Sequence, residues 1–170
     1  MKKVLVLGCC GAGKSTFSKR LHSILKLPLI HLDYYYHKPN WQEPGKEEWA
    51  KTLKKILSQE SFIMDGTYLE SLNERMKKSD TIIYLDYSLT KCFFRVIKRV
   101  MTDFGKRRSD VALGCKEEFD LYFLWFVLTF NNKYRKEIIQ KLHSVKNEKK
   151  VCIFKTDKHA DKFLLQISAV

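Results

Sequence analysis

An eight-residue segment near the N-terminus, Gly8-Cys9-Cys10-Gly11-Ala12-Gly13-Lys14-Ser15, constrains the fold of this chain more than any other feature. It follows a short apolar run at 4–7 and precedes residues whose apolar side chains recur at helical spacing. Glycines at this spacing let the backbone wrap around a phosphate and point successive N–H groups inward. A phosphate-binding loop (P-loop) needs a strand before it and a helix after it, and both flanks are predicted here.

Individual positions of this loop have predicted roles. A helix beginning at Gly13 adds the positive end of its dipole to the phosphate site. Lys14 is expected to reach the β- and γ-phosphates and to take part in catalysis, and the Ser15 hydroxyl is expected to bind Mg²⁺. The sequence therefore predicts binding of ATP with Mg²⁺. The residues expected to contact the nucleotide are Gly8, Gly11, Ala12, Gly13, Lys14, Ser15 and Thr16.

Hydrophobic periodicity predicts that strands and helices alternate along the chain, which favours a parallel sheet with helices on both faces. We interpret residues 1–170 as one three-layer α/β domain. Residues 34–45 are predicted to form a loop, and the polar residues 102–114 a mobile loop. The predicted strands are 4–7, 29–32, 61–64, 81–85 and 151–154, and the predicted helices are 14–25, 46–57, 68–77, 89–101, 116–142 and one from about 157.

Three acids, Asp33, Asp65 and Asp86, follow predicted strands, where open α/β sheets bind their ligands. Asp33 could accept a proton from a substrate hydroxyl or hold a Mg²⁺-bound water. Asp65 follows an apolar strand, as a Walker-B acid does, and is predicted to orient the Mg²⁺ shell. The alternative for each is a structural cap of the turn that follows its strand.

Arginines cluster around the predicted mobile loop. Phosphoryl transfer depends on positioning and charge neutralisation, so a kinase needs cations beyond Lys14. Arg95 and Arg99 are one helical turn apart, and Arg107 and Arg108 lie inside the loop. We predict catalytic roles for Arg95, Arg99 and Arg108 on a closing lid that would also exclude water. The alternative is an ordinary basic surface.

The overall charge is strongly basic, with 32 Lys and Arg against 19 Asp and Glu, a formal net charge of +13. Such a balance favours phosphate-bearing partners but does not choose between a nucleotide, a nucleic acid and an anionic membrane. The longest apolar run, 121–130, is about half a membrane span and is interpreted as core. Five cysteines without a Cys-x-x-Cys pair argue against a zinc site or disulfide framework, and we expect a cytoplasmic protein.

In combination, these motifs resemble those of the adenylate-kinase-like group of P-loop nucleoside kinases, and more specifically the bacterial family of DNA topology modulation proteins. The resemblance implies a five-stranded parallel sheet of order 2-3-1-4-5, with a lid after the fourth strand that we place at 102–115. Its motifs are the P-loop, His31-Leu32-Asp33 followed by Trp41 and Trp49, Asp65-Gly66-Thr67-Tyr68 with Arg75 beyond it, residues 108–115 followed by Glu117, and Trp125.

The chain departs from the adenylate kinase pattern after Asp65-Gly66. Adenylate kinases continue with Phe-Pro-Arg, whose arginine grips the phosphate of AMP, whereas this chain continues with Thr67-Tyr68-Leu69. Arg75 is the residue that could replace that arginine, and with Asp33 and Tyr68 it is predicted to contact the acceptor. The candidate stacking surfaces for an acceptor are Tyr34, Tyr35, Tyr36, Trp41 and Tyr68.

These observations favour a kinase that transfers the γ-phosphate of ATP to a nucleoside-like, nucleotide-like or other small acceptor. The acceptor is expected to lie between residues 34–60 and the lid. Two alternatives stay open, a nucleotide-gated nucleic-acid-binding protein and an ATPase switch. The +13 charge and the family resemblance favour the first alternative, although no helix-turn-helix, zinc finger or RNA-binding signature is present.

Overall fold

The computed structural model describes residues 1–169, in which five parallel strands form one sheet of order β2-β3-β1-β4-β5. This confirms the predicted fold class and strand order. The strands are β1 Lys3–Gly8, β2 Leu29–His31, β3 Phe62–Asp65, β4 Thr81–Leu85 and β5 Lys150–Phe154. The helices are α1 Lys14–Leu25, α2 Leu32–Tyr36, α3 Lys46–Leu57, α4 Leu69–Lys78, α5 Leu89–Asp103, α6 Leu121–Phe130, α7 Lys136–Val145 and α8 Asp157–Ser168.

The central strand β1 brings the P-loop to the carboxyl edge of the sheet. Residues 4–7 are completely buried between β3 and β4, as expected for a parallel strand covered on both faces. In the register of the sheet, Asp65 of β3 pairs with Val6 on one side and with His31 of β2 on the other. The ends of β1, β2 and β3 therefore place the P-loop, His31 and Asp65 at one edge.

Two predicted boundaries are wrong. Residues 34–45 are not a continuous loop, because α2 runs to Tyr36 and a 3₁₀ turn covers Pro39–Trp41. The helix predicted for 116–142 begins only at Leu121, because the Asp120 carboxylate accepts hydrogen bonds from the next N–H groups and caps the first turn. It then continues through a π-helical turn at Asn131–Arg135 into α7, which ends at Val145.

Helix α6 is apolar around most of its circumference. Leu124, Val127 and Phe130 pack into the main core, whereas Tyr122 and Trp125 are exposed. The buried face of α6 closes over the P-loop, since the Val127 carbonyl lies 4.0 Å from the Cys9 sulfur. The interpretation of the whole run 121–130 as core is therefore wrong for its exposed face, which also includes Leu121 and Leu128. Within residues 1–169, no helix combines the length and the apolar content that crossing a bilayer would need.

Candidate active site

An open cleft of about 1700 Å³ lies over the carboxyl edge of the sheet. The P-loop and the start of α1 form its floor, and α5 with the lid segment (102–115) forms one side. Residues 33–71 form a second side, which the lid segment meets where the Asn40 N–H donates to the Gly114 carbonyl at 3.2 Å, and α6 closes one end. Every predicted site residue except Arg75 lines this cleft, which contains Gly8, Gly11, Ala12, Gly13, Lys14, Ser15, Thr16, Asp33, Asp65, Tyr68, Arg95, Arg99 and Arg108.

The backbone of the P-loop requires glycine at two of its positions. Gly11 has φ 79°, and a Cβ placed there would lie 2.3 Å from the Cys92 carbonyl oxygen. Gly13 has φ 86° and caps α1 without any side-chain hydrogen bond, so the first N–H groups of this helix stay available for an anion. Lys14 bends back over the loop and donates from Nζ to the Cys9 carbonyl at 3.2 Å. The geometry is therefore that of a phosphate cradle.

Asp65 and His31 form an ion pair beside the P-loop. The His31 Nδ1 lies 2.7 Å from Asp65 Oδ2, and the Asp65 side chain is only 5% exposed. Burial lowers the pKa of His31, but the hydrogen bond and charge of Asp65 outweigh it and raise that pKa above its ordinary value. Asp65 thus keeps a protonated or proton-donating partner and leaves its second oxygen free to orient a water.

Asp33 lies in the first turn of α2, directly after β2, and not on the strand itself. The Tyr68 hydroxyl donates to Asp33 Oδ1 at 2.8 Å and lies 3.2 Å from His37 Nε2. Burial and the Asp33 charge raise the pKa of Tyr68 and keep its phenol neutral, while burial lowers the pKa of His37. The second oxygen of Asp33 accordingly can face a substrate hydroxyl.

Arg75 does not line the cleft. It has no exposed surface, and its guanidinium donates to the carbonyls of Gly66, Thr67 and Tyr68 and to the Ser71 hydroxyl. A direct contact between Arg75 and an acceptor is incompatible with this arrangement, so that part of the sequence interpretation is corrected. Arg75 holds the loop after β3, including Tyr68, whose φ of 23° is a strained conformation for a residue with a side chain.

Replacing Arg75 with Met should therefore act first on stability. Burial lowers the pKa of Arg75 to about 10, so the side chain is still charged at neutral pH, and its removal leaves three carbonyls without their donor. We expect a loss of about 3 kcal/mol in the free energy of unfolding, measured by urea denaturation. The control is Lys78→Met on the exposed end of the same helix, and equal losses in both variants would contradict this role.

The arginines of α5 and the lid segment are held by carboxylates. Arg95 donates to Asp157 at 2.8 Å and lies beside Gly13 of the P-loop. Arg99 and Arg108 both contact the buried Glu117, at 3.1 Å and 2.6 Å. These pairs bring the predicted cations to one side of the cleft. Since each pair can exchange partners, the same arginines are able to turn towards phosphate groups.

Asp110, in the lid segment, lines the cleft together with Ser15 and is paired with Arg108 at 3.2 Å. Burial raises its pKa, but the charge of Arg108 and the Ser15 hydroxyl outweigh burial and lower it. An ionised carboxylate thus lines the same cleft as the hydroxyl predicted to bind Mg²⁺. Sequence reasoning missed Asp110 and Glu117 as site residues. A usable signal was that both lie within nine residues of Arg108, for which a catalytic role was already predicted.

Thr67 anchors the start of the P-loop. Its hydroxyl donates to the Gly8 carbonyl at 2.7 Å and accepts from the Gly8 N–H at 3.1 Å. This residue stands where the adenylate kinase pattern has Phe, and the contact could not be predicted from the sequence because 59 positions separate the two residues. Thr67 therefore ties the loop after β3 to the phosphate cradle.

Thr67→Val removes both hydrogen bonds and preserves the shape of the side chain. We expect the affinity for a non-hydrolysable ATP analogue with Mg²⁺ to fall about tenfold, because the cradle loses its preformed geometry. Isothermal titration calorimetry measures this change. Thr52→Val on α3, which does not line the cleft, is the matched control and should bind as the unmodified protein does.

Comparisons with known proteins agree with this geometry. No family model matches the chain. A shikimate kinase from Parabacteroides distasonis is 31% identical over 105 residues, which are 52% of this chain and 60% of that protein. The chain therefore matches less than two thirds of the length of that relative.

Solved structures of small kinases share the whole architecture. A deoxyadenosine kinase from M. mycoides with bound dATP has a TM-score of 0.56 and 19% identity, with 100% of both chains covered. A shikimate kinase from Acinetobacter baumannii in complex with shikimate has a TM-score of 0.59 and 14% identity, with 99% of this chain and 94% of that chain covered. The five-stranded sheet with its P-loop thus has the fold of these P-loop kinases.

Proposed function

We propose that this protein is a kinase that transfers the γ-phosphate of ATP to the hydroxyl of a small molecule. The observation that carries the proposal is the placement of Asp33, the P-loop and three arginines of α5 and the lid segment on one cleft. The relative and the structural neighbours described above act on different acceptors, so they support the reaction type more than any one substrate.

Different residues of the cleft have different roles in the proposed phosphoryl transfer. The N–H groups of the P-loop and Lys14 bind and neutralise the phosphates. Asp33 accepts the proton of the acceptor hydroxyl, and Tyr68 fixes the orientation of its carboxylate. Arg95, Arg99 and Arg108 neutralise the charge that develops on the transferred group, while the lid segment excludes water.

The oxygen atoms near the P-loop suit Mg²⁺. Ser15, Asp65 and Asp110 line the cleft, and Asp65 is buried with its orientation fixed by His31. Hydroxyl and carboxylate oxygens with room for water are the ligands that Mg²⁺ prefers. We therefore propose that Ser15 contacts the ion and that Asp65 and Asp110 orient its waters. When bound, Mg²⁺ would supply charge neutralisation between the β- and γ-phosphates.

Acceptor-dependent ADP formation tests this function. The purified protein with Mg²⁺–ATP should form ADP at a rate that rises when the correct acceptor is added, across a panel of nucleosides, sugars, polyols and amino alcohols. Hydrolysis that is equal with and without every acceptor would instead indicate an ATPase switch.

We also infer membership of the DNA topology modulation family from the motifs that the chain shares with it, above all Asp65-Gly66-Thr67-Tyr68 and residues 108–115. The name of that family and the +13 charge raise the question of DNA binding. A gel shift with duplex DNA at low salt, with and without ATP, answers it. A shift that weakens steeply with salt would indicate phosphate-driven binding.

A further inference from the structure

We propose that the acceptor carries no negative charge and is a neutral or amine-bearing alcohol, not a carboxylic acid or a phosphate ester. This inference rests on the proposed kinase function and concerns the same cleft. The observation behind it is the distribution of charge along the walls. Nothing in the kinase reaction itself requires that distribution, since kinases exist for acceptors of every charge.

We assign the cations that line the cleft to its nucleotide side. They come from the P-loop and α1, from α5 and from the lid segment, and they are Lys14, Lys19, Arg20, Arg95, Arg99 and Arg108. On the acceptor side, the lining drawn from residues 33–71 and 118–134 includes no Lys or Arg in the part of the chain described. Those stretches contribute carboxylates, namely Asp33, Glu43, Asp65, Glu70, Glu118 and Asp120.

Two of these carboxylates, Glu43 and Glu70, line the cleft together with Asp33 and Tyr36. Burial raises the pKa of the Tyr36 phenol, and the charges of Glu43 and Glu70 raise it further. The one titratable base among these residues, His37, is driven towards its neutral form by burial. An anion placed here would meet several carboxylates. Arg108, whose charge lowers the pKa of His37, is already paired with Asp110 and Glu117.

Arg75 and Arg135 also cannot supply a counter-charge without giving up their partners. Arg75 is buried against the carbonyls of Gly66, Thr67 and Tyr68. Arg135 makes a bidentate ion pair with Asp86, in which Nε and Nη2 each donate to one carboxylate oxygen at 2.7 Å. Proteins that bind carboxylates or phosphates usually present an arginine fork with free donors, and this side of the cleft presents none among residues 1–169.

Aromatic rings provide the other half of the acceptor surface. The rings of Tyr36, Trp49 and Tyr68 lie 4.6 to 6.1 Å apart and form one wall next to Asp33. Such a wall binds the ring or apolar body of a neutral molecule, while hydroxyl or ammonium groups donate to the carboxylates. The chemistry of the site thus fits an alcohol with apolar surface and hydrogen-bond donors.

Matched pairs of acceptors that differ in charge test this inference. We would measure kcat/KM for adenosine and AMP, cytidine and CMP, glucose and gluconate, and methyl shikimate and shikimate. For each pair that reacts, the kcat/KM of the neutral member should be at least about tenfold higher than that of its anionic counterpart. A higher kcat/KM for an anionic member would overturn the inference and would leave the kinase function intact.

A charge reversal makes the test independent of shape. Glu70 is exposed, so Glu70→Arg should fold, and it should shift the ratio of kcat/KM values towards the anionic member about tenfold or more. Glu74→Arg, exposed on the same helix but outside the cleft, is the matched control and should leave the ratio unchanged. Equal ratios in both variants would contradict a charge-selective acceptor site.

If no member of the panel reacts, the acceptor is sought in a small-molecule extract separated on an anion exchanger. ADP-forming activity in the unretained fraction supports a neutral or amine-bearing acceptor. Activity that is retained on the exchanger overturns the acceptor inference and leaves the proposed kinase function intact. Absence of activity in both fractions, and in the unfractionated extract, rejects the proposed kinase function and the acceptor inference with it.

Discussion

Replacing Lys14 with Met is expected to lower kcat by about 10²- to 10³-fold, because the transferred phosphate loses a preorganised charge that no neighbouring residue can replace. The Lys14 ammonium donates to the Cys9 carbonyl and makes no other hydrogen bond within residues 1–169, so it can turn to a phosphate. Measurement of ADP formation at saturating acceptor gives the change in kcat. The free energy of unfolding should stay within about 0.5 kcal/mol of the unmodified value.

The control for this prediction is Lys51→Met, an exposed position on α3 that removes one positive charge without touching the cleft. It should retain the full rate. A Lys14 variant with nearly unchanged kcat would mean that the P-loop binds nucleotide for another purpose than phosphoryl transfer.

Asp33→Asn should have the second large effect, a fall of about 10²- to 10⁴-fold in kcat, because an amide cannot accept the proton of the acceptor hydroxyl. The amide oxygen can still accept the Tyr68 hydrogen bond, so the local geometry should persist. The affinity for Mg²⁺ and an ATP analogue should change little, which separates a catalytic base from a residue that binds the nucleotide. Steady-state kinetics together with calorimetry measure both quantities.

Glu74→Gln, on the exposed side of α4, is the matched control and should match the unmodified enzyme in both quantities. If the Asp33 variant lost nucleotide affinity in proportion to its rate, Asp33 would belong to the metal shell and another group would have to serve as base.

Elements with a strong hydrophobic period could be predicted from the sequence. The bounds of α1, α3 and β4 agree with the predicted 14–25, 46–57 and 81–85, since their buried residues recur at the spacing of a helix or fill a wholly buried strand. Helix α2 was missed because five residues are too few to show a helical period. The start of α6 was misplaced because one capping carboxylate, Asp120, decides it.

The candidate site was predictable where a local motif carries the chemistry. The P-loop and the acids after strands could be placed at one edge, because parallel strands end at the same side of a sheet. The roles of Arg75, Thr67 and Glu117 depend on folding, since their exposure and partners are set by tertiary packing. A buried arginine and an exposed arginine are the same residue in the sequence. Only the structure distinguishes an arginine that stabilises a loop from one that binds the acceptor.

The most direct test of the central claim follows the γ-phosphate of isotopically labelled ATP with the purified protein, Mg²⁺ and an accepted alcohol. The account predicts that the label appears on the alcohol in a one-to-one ratio with ADP, and that the Asp33→Asn variant loses this transfer. Label that appears only as inorganic phosphate, at a rate independent of the alcohol and of Asp33, would contradict it.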